Sequence, residues 1–265
     1  MPVAADLRRL VHHAERPSLA SLVDPKLGEA VKSVLFCTLP RTGSSLLAAD
    51  MRSTNALGTP REFFLPNRYE KFTESWGVPQ GDLDGHIKEL HAKTASPNGV
   101  VAVKLMVRHL DFLTQQGMLP SEPGRLRNLT QHCGDVVIIK LLRKDKLRQA
   151  ISLTKAQQTG KWGSLKEQRA EPFYDRDALI ANLVRIVEAE AMWERELEAS
   201  ELPPVISIYY EDVSLAREEL LLRIAELLEL PEAAQIVANR NRGMVKLERQ
   251  SDELTEDWYD RFISG

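Results

Sequence analysis

The chain has 265 residues, 43% of them hydrophobic and 28% charged, a balance that excludes a disordered chain and predicts a sizeable core. Its formal net charge of −3 gives no global attraction to nucleic acid or to an acidic membrane, so an anionic ligand must be met by local positive charge.

Residues 1–30 read as a mixed helical segment. They open MPVAADLRRLVHHAERP, without the apolar stretch of a signal peptide. No apolar run approaches the roughly 18 residues that cross a bilayer, so the expectation is a cytoplasmic protein without a membrane segment. Residues 33–38 (SVLFCT) form a short apolar β-type run ended by Leu39-Pro40 and a Gly/Ser turn. A helix opens there, at a serine N-cap before Leu46, Leu47, Ala48 and Ala49.

Residues 55–84 are rich in Gly, Pro and aromatics with little periodicity, which predicts a long irregular excursion over the surface. A second β-type run, 100–105 (VVAVKL), leads into a helix at 108–116. A third, 135–142 (DVVIIKLL), leads into a helix at 145–158. A long helix at 174–200 carries Leu179, Leu183, Ile186, Trp193 and Leu197 on one stripe, with Glu190 inside it, either reaching solvent or directed into a cleft. The last β-type run, 205–210 (VISIYY), precedes an amphipathic helix ending at Leu230.

Near-continuous apolar strands joined by helical crossovers require a parallel sheet covered on both faces. The predicted fold is therefore a single-domain, doubly wound α/β sheet of P-loop type. Its core spans 33–230, and residues 231–265 follow as a tail. The two cysteines, Cys37 and Cys133, have no CxxC spacing, and no His/Cys/Asp/Glu group has metal-ligand spacing, so neither disulfide framework nor metal is expected.

A loop between a first strand and its helix offers backbone N–H groups and a helix N-terminus to phosphate oxygens. Leu39–Leu47 (LPRTGSSLL) fits that mould. It is not a Walker A loop, because no glycine stands five residues before Gly43 and Ser44 fills the lysine position. Its cation is Arg41 instead, and Thr42, Ser44 and Ser45 bring hydroxyls suited to a small anion.

Five segments carry a resemblance: FCTLPRTGSSLL at 36–47, GTPREFF at 58–64, VAVKLMVRHL at 101–110, IKLLRKDKLRQAISLTKAQQTGKW at 139–162 and IYYEDV at 208–213. Through them the chain resembles the sulfotransferase superfamily, and more narrowly the bacterial carbohydrate sulfotransferases typified by trehalose 2-sulfotransferase. The resemblance implies a donor, PAPS (3′-phosphoadenylyl sulfate), whose 5′-phosphosulfate lies on Pro40, Arg41, Thr42, Gly43, Ser44 and Ser45. Arg41 stands beside the leaving oxygen, and Arg143 and Ser152 hold the 3′-phosphate. It further implies a carbohydrate acceptor such as trehalose, a homodimer, and a donor-covering tail in which Arg249 or Gln250 reaches the 3′-phosphate.

Independently of the resemblance, Arg143 follows a parallel strand, and the carboxyl ends of such strands face the ligand crevice. The resemblance assigns the general base to the glutamate of a Pro-x-Glu-(Tyr/Phe)-Phe segment, here Glu62. Flanking aromatics are expected to raise its pKa. His109 is the alternative base. Phe63, Phe64, Trp162 and the Gln157-Gln158-Thr159 cluster are candidate contacts for the sugar or adenine. A P-loop small-molecule kinase and a non-catalytic nucleotide-binding protein remain alternatives at this point.

Overall fold

The computed structural model describes residues 32–163, 167–202, 206–213, 216–241, 243 and 252–264. Four strands, β1 (Lys32–Thr38), β2 (Val100–Leu105), β3 (Asp135–Leu142) and β4 (Ile206–Tyr209), pair in parallel in the order β2-β1-β3-β4. After β1 the chain turns to one side to make β2, then crosses to the other side for β3. The connections therefore diverge between the carboxyl ends of β1 and β3, where an open α/β sheet presents its crevice.

Side chains alternate along each strand, so one sheet builds two layers. On one face Val34, Phe36, Val137, Ile139 and Leu141 meet α1 (Ser44–Ser53) and α9 (Arg217–Leu227) through Leu47, Met51, Leu221 and Ile224. On the other, Leu35, Cys37, Val103 and Ile138 pack with α4 (Val107–Gln115), α5 (Arg125–Gln131) and α7 (Arg176–Ser200) through Leu110, Leu126, Leu129 and Trp193. Each such large apolar side chain contributes roughly 1.5–3 kcal/mol on burial. Both cysteines are free and buried.

A third, smaller cluster joins α6 (Lys146–Thr159), α7 and α11 (Glu253–Ser264) through Ile151, Leu179 and Trp258. The tail therefore lies on α6, the helix that carries Ser152. Between these, α8 (Tyr210–Val213) continues β4, and α10 (Ala233–Ala238) follows α9. Arg249 and Gln250 lie outside the described residues, as does the segment 1–30. Among the described residues no helix is long and apolar enough to cross a membrane.

The expected irregular stretch at 55–84 is a correction. It holds α2 (Pro66–Trp76) and the first residues of α3 (Leu83–Thr94). Pro66 sits at the first helical position, left-handed Gly77 closes α2, and the Asp82 carboxylate accepts the Gly85 N–H at 2.8 Å to open α3. Residues that read as breakers here mark helix ends.

Candidate active site

The loop after β1 is held from inside. Thr42 is fully buried; its hydroxyl donates to the Leu39 carbonyl at 2.9 Å and shares a 2.7 Å hydrogen bond with Thr38, which reaches the Leu141 carbonyl of β3. Gln149 of α6 donates to the Pro40 carbonyl at 2.9 Å, and the Trp193 indole donates to the Thr38 carbonyl at 3.0 Å. Arg41 and Gly43 both have positive φ, 66° and 75°, a backbone that curls into an anion-binding concavity. The first N–H groups of α1, which have no intrahelical partners, complete it. A Cβ at Gly43 would clash with the ring edge of Tyr210, so glycine is required by both conformation and space.

Two guanidiniums stand over this loop. Arg41 Nε donates to Ser152 Oγ at 2.8 Å and its NH1 to the Trp162 carbonyl at 3.0 Å. Arg143, one residue past β3, donates to the Arg41 carbonyl at 3.4 Å and lies 4.9 Å over the Tyr210 ring. Burial, then the charge of Arg143, holds the Arg41 pKa below its ordinary value. Arg143 Nε is buried and makes no hydrogen bond. Neighbouring cations, one of them with a buried donor that makes no hydrogen bond, fit an anion.

The second half of the site is built on β2. Gly58, at φ 76°, presses the following loop against Ala102, and Lys104 N–H donates to the Arg61 carbonyl at 2.8 Å. That bridge sets Glu62 beside Lys104. Lys104 Nζ is 3.2 Å from Glu62 Oε1 and 3.4 Å from Ser45 Oγ on the loop after β1. Arg108 approaches the other carboxylate oxygen at 3.5 Å. Burial pushes the Glu62 carboxyl up, but Lys104, by charge and hydrogen bond, and Arg108 outweigh it and hold it below its ordinary value. His109 is fully buried, and burial pushes its pKa down to about 3.

The profile of the Stf0 sulphotransferase family matches residues 33–264. The chain belongs to that family. It is 25% identical over 275 residues to the trehalose 2-sulfotransferase of Mycobacterium tuberculosis (strain ATCC 35801 / TMC 107 / Erdman), covering 89% of this chain and 96% of that protein. It is 29% identical over 253 residues to the trehalose 2-sulfotransferase of Mycolicibacterium smegmatis (strain ATCC 700084 / mc(2)155), covering 84% and 91%. Among solved structures, the sulfotransferase domain from the curacin biosynthetic pathway aligns with a TM-score of 0.45 at 15% identity, covering 88% of this chain and 97% of that one. Retinol dehydratase in complex with androsterone and inactive cofactor PAP aligns with a TM-score of 0.40 at 12% identity, covering 88% and 79%.

In this sulfotransferase several expectations for individual side chains change. Phe63 and Phe64 are each 1% exposed and pack inward, Phe63 on Phe72 and Trp76, Phe64 on Tyr69 and His86, so they support the Glu62 loop and line no ligand surface. The Thr42 hydroxyl is a latch within the loop. Glu62 has a lowered pKa where a raised one was expected, because cations rather than aromatics surround its oxygens. His109 is neutral, with Nδ1 accepting the Met106 N–H at 3.2 Å. Gln157 is exposed and accepts from Asn182 of α7 at 2.9 Å, a link between helices. Trp162 remains 43% exposed beside Arg41. Glu190 pairs with Lys146, which also donates to the Arg143 carbonyl at 2.5 Å, so it braces Arg143 from behind.

Two residues without an assigned role in the sequence reading belong to the site. Lys104 is 8% exposed, and its signal was a single cation near the carboxyl end of an otherwise apolar strand. Tyr210, in IYYEDV, wedges between Gly43 and Arg143 while Glu211 accepts the Lys144 and Asp145 N–H groups at 3.0–3.1 Å.

Proposed function

We propose that this sulfotransferase takes the sulfuryl group from PAPS and delivers it to a hydroxyl of a carbohydrate, releasing PAP. The observation that carries the reading is Lys104 Nζ, which stands between Ser45 of the loop after β1 and the carboxylate of Glu62. It joins an anion cradle to a base across one ammonium group.

In this reading the 5′-phosphosulfate rests on Pro40–Ser45 with Arg41 at the leaving oxygen, and Arg143 and Ser152 meet the 3′-phosphate. The acceptor oxygen forms its bond to sulfur as the sulfur–oxygen bond to the phosphate breaks. The electron pair leaves on PAP, and the acceptor proton passes to Glu62. Lys104 sits over the sulfuryl oxygens, where charge is densest. A carboxylate of low pKa suffices if the transition state is as loose as in phosphoryl transfer, because the hydroxyl then becomes acidic only late. As Lys104 turns to the sulfuryl oxygens its hold on Glu62 weakens and the base strengthens.

The same reading makes the enzyme a cytoplasmic homodimer that works without a metal, Arg41, Arg143 and Lys104 supplying the positive field. Similarity to trehalose 2-sulfotransferases supports a sugar acceptor. The test is incubation with labelled PAPS and a panel of sugars that includes trehalose. Label on a sugar supports the reading; no transfer to any hydroxyl, with no affinity for PAP, contradicts it.

A further inference from the structure

Helix α6 holds two consecutive residues of the loop after β1 from one of its faces. Gln149 Nε2 donates to the Pro40 carbonyl at 2.9 Å, and one turn later Ser152 Oγ accepts from Arg41 Nε at 2.8 Å. A third contact comes from the end of β3, where Arg143 donates to the Arg41 carbonyl at 3.4 Å. Arg41 has a φ of 66°, a conformation that is costly for a residue with a side chain and persists only where its surroundings impose it. The Pro40–Arg41 peptide is trans, so a carbonyl drawn toward α6 turns the N–H of the same peptide away from that helix.

Gln149 is fully buried, and its other amide atom, Oε1, has no hydrogen-bond partner among the described residues. Turning the amide round does not cure this, because the Pro40 carbonyl only accepts and so requires the Nε2 side. The neighbours of Gln149 along α6, Ala150, Ile151 and Leu153, are buried and apolar. An orphaned buried acceptor in such surroundings works against folding, and a side chain kept for stability alone would be better replaced by a hydrocarbon of similar shape. Pro40 is half-buried, so its carbonyl can turn to solvent once released.

We infer that Gln149 is a positioning residue for the sulfuryl donor: without touching the donor it fixes the Pro40–Arg41 peptide, and with it the anion-binding curl of the loop. The inference rests on the reading of Pro40–Ser45 as the seat of the 5′-phosphosulfate. The test is calorimetric binding of PAP, adenosine 5′-phosphate and adenosine 3′-phosphate to the full chain, in wild type, Gln149→Met and Gln149→Leu, with thermal unfolding of each protein. Both substitutions keep a good helix former of similar size and remove the two polar atoms. The expected result is a Tm close to or above that of wild type. PAP and adenosine 5′-phosphate should each bind about tenfold more weakly, while adenosine 3′-phosphate stays within about twofold of wild type. A glutamine with a merely structural role gives a lower Tm and weakens the 3′- and 5′-phosphates alike. That pattern in both variants, or undiminished binding of adenosine 5′-phosphate, overturns the inference. Failure of wild type to bind PAP strikes instead at the donor reading on which the inference rests, and it is seen in wild type alone.

Discussion

Arg41 Nε donates to Ser152 Oγ at 2.8 Å, joining the loop after β1 to the helix after β3. The two residues were expected at opposite ends of the donor, yet they are in direct contact. The switch point between β1 and β3 brings them together, since each element starts from one of those strands. Replacing Ser152 by Ala is expected to weaken PAP binding about three- to tenfold with little change in Tm. Replacing Arg143 by Gln is expected to weaken it about a hundredfold, because a charged donor is lost. Calorimetric titration with PAP measures both.

On the proposed mechanism, Glu62→Gln keeps the shape of the loop but removes the base. Turnover is expected to fall by about two to four orders of magnitude while PAP affinity stays within a small factor of wild type. Single-turnover transfer and PAP titration on the same preparation separate the two effects.

The pH dependence follows from the cations on Glu62. Lys104 and Arg108 hold its carboxyl below the ordinary 4.5, so wild-type kcat/KM should lose activity only as pH falls beneath that value. Lys104→Met removes the strongest of these partners and leaves burial to act, so the acid limb of the profile moves to higher pH. The same depressed pKa makes the ion pair a stabilising contact above the unfolded-state carboxyl value, lost as pH falls through the folded one. An acid limb unchanged in Lys104→Met would contradict the assignment.

Gly43→Ala meets both a positive φ and the Tyr210 ring. It is expected to cost about 1–3 kcal/mol of stability and to abolish PAP binding, with partial recovery in the Gly43→Ala/Tyr210→Ala double variant. Thermal unfolding with and without PAP reads each step.

Phe63→Ala tests the correction made for the aromatics. With Phe63 packed on Phe72 and Trp76, the loss is expected in stability, about 3–5 kcal/mol, rather than in acceptor KM. Chemical denaturation gives the first quantity and steady-state kinetics the second.

The strands were legible because parallel strands buried on both faces must be almost wholly apolar: expected at 33–38, 100–105, 135–142 and 205–210, they occur at Lys32–Thr38, Val100–Leu105, Asp135–Leu142 and Ile206–Tyr209. The break between β1 and α1 was legible from local order, in Leu39-Pro40 and Gly43-Ser44-Ser45. What was hidden depends on partners far along the chain. Phe63 and Phe64 look alike whether they stack on a sugar or on Phe72 and Tyr69. Lys104 reveals its role only when Ser45 and Glu62 come within reach of it, 59 positions before it in the case of Ser45. Helix α2 was missed because Pro66 and Gly77, read as breakers, are its two ends.

The measurement that bears most directly on the account is transfer from sulfur-labelled PAPS to a sugar by wild type and Glu62→Gln, assayed side by side. The account predicts label on the sugar with release of an equal amount of PAP, and transfer close to the uncatalysed level in the variant while PAP still binds. Label transferred equally by both proteins, or no transfer and no PAP binding by the wild type, would contradict it.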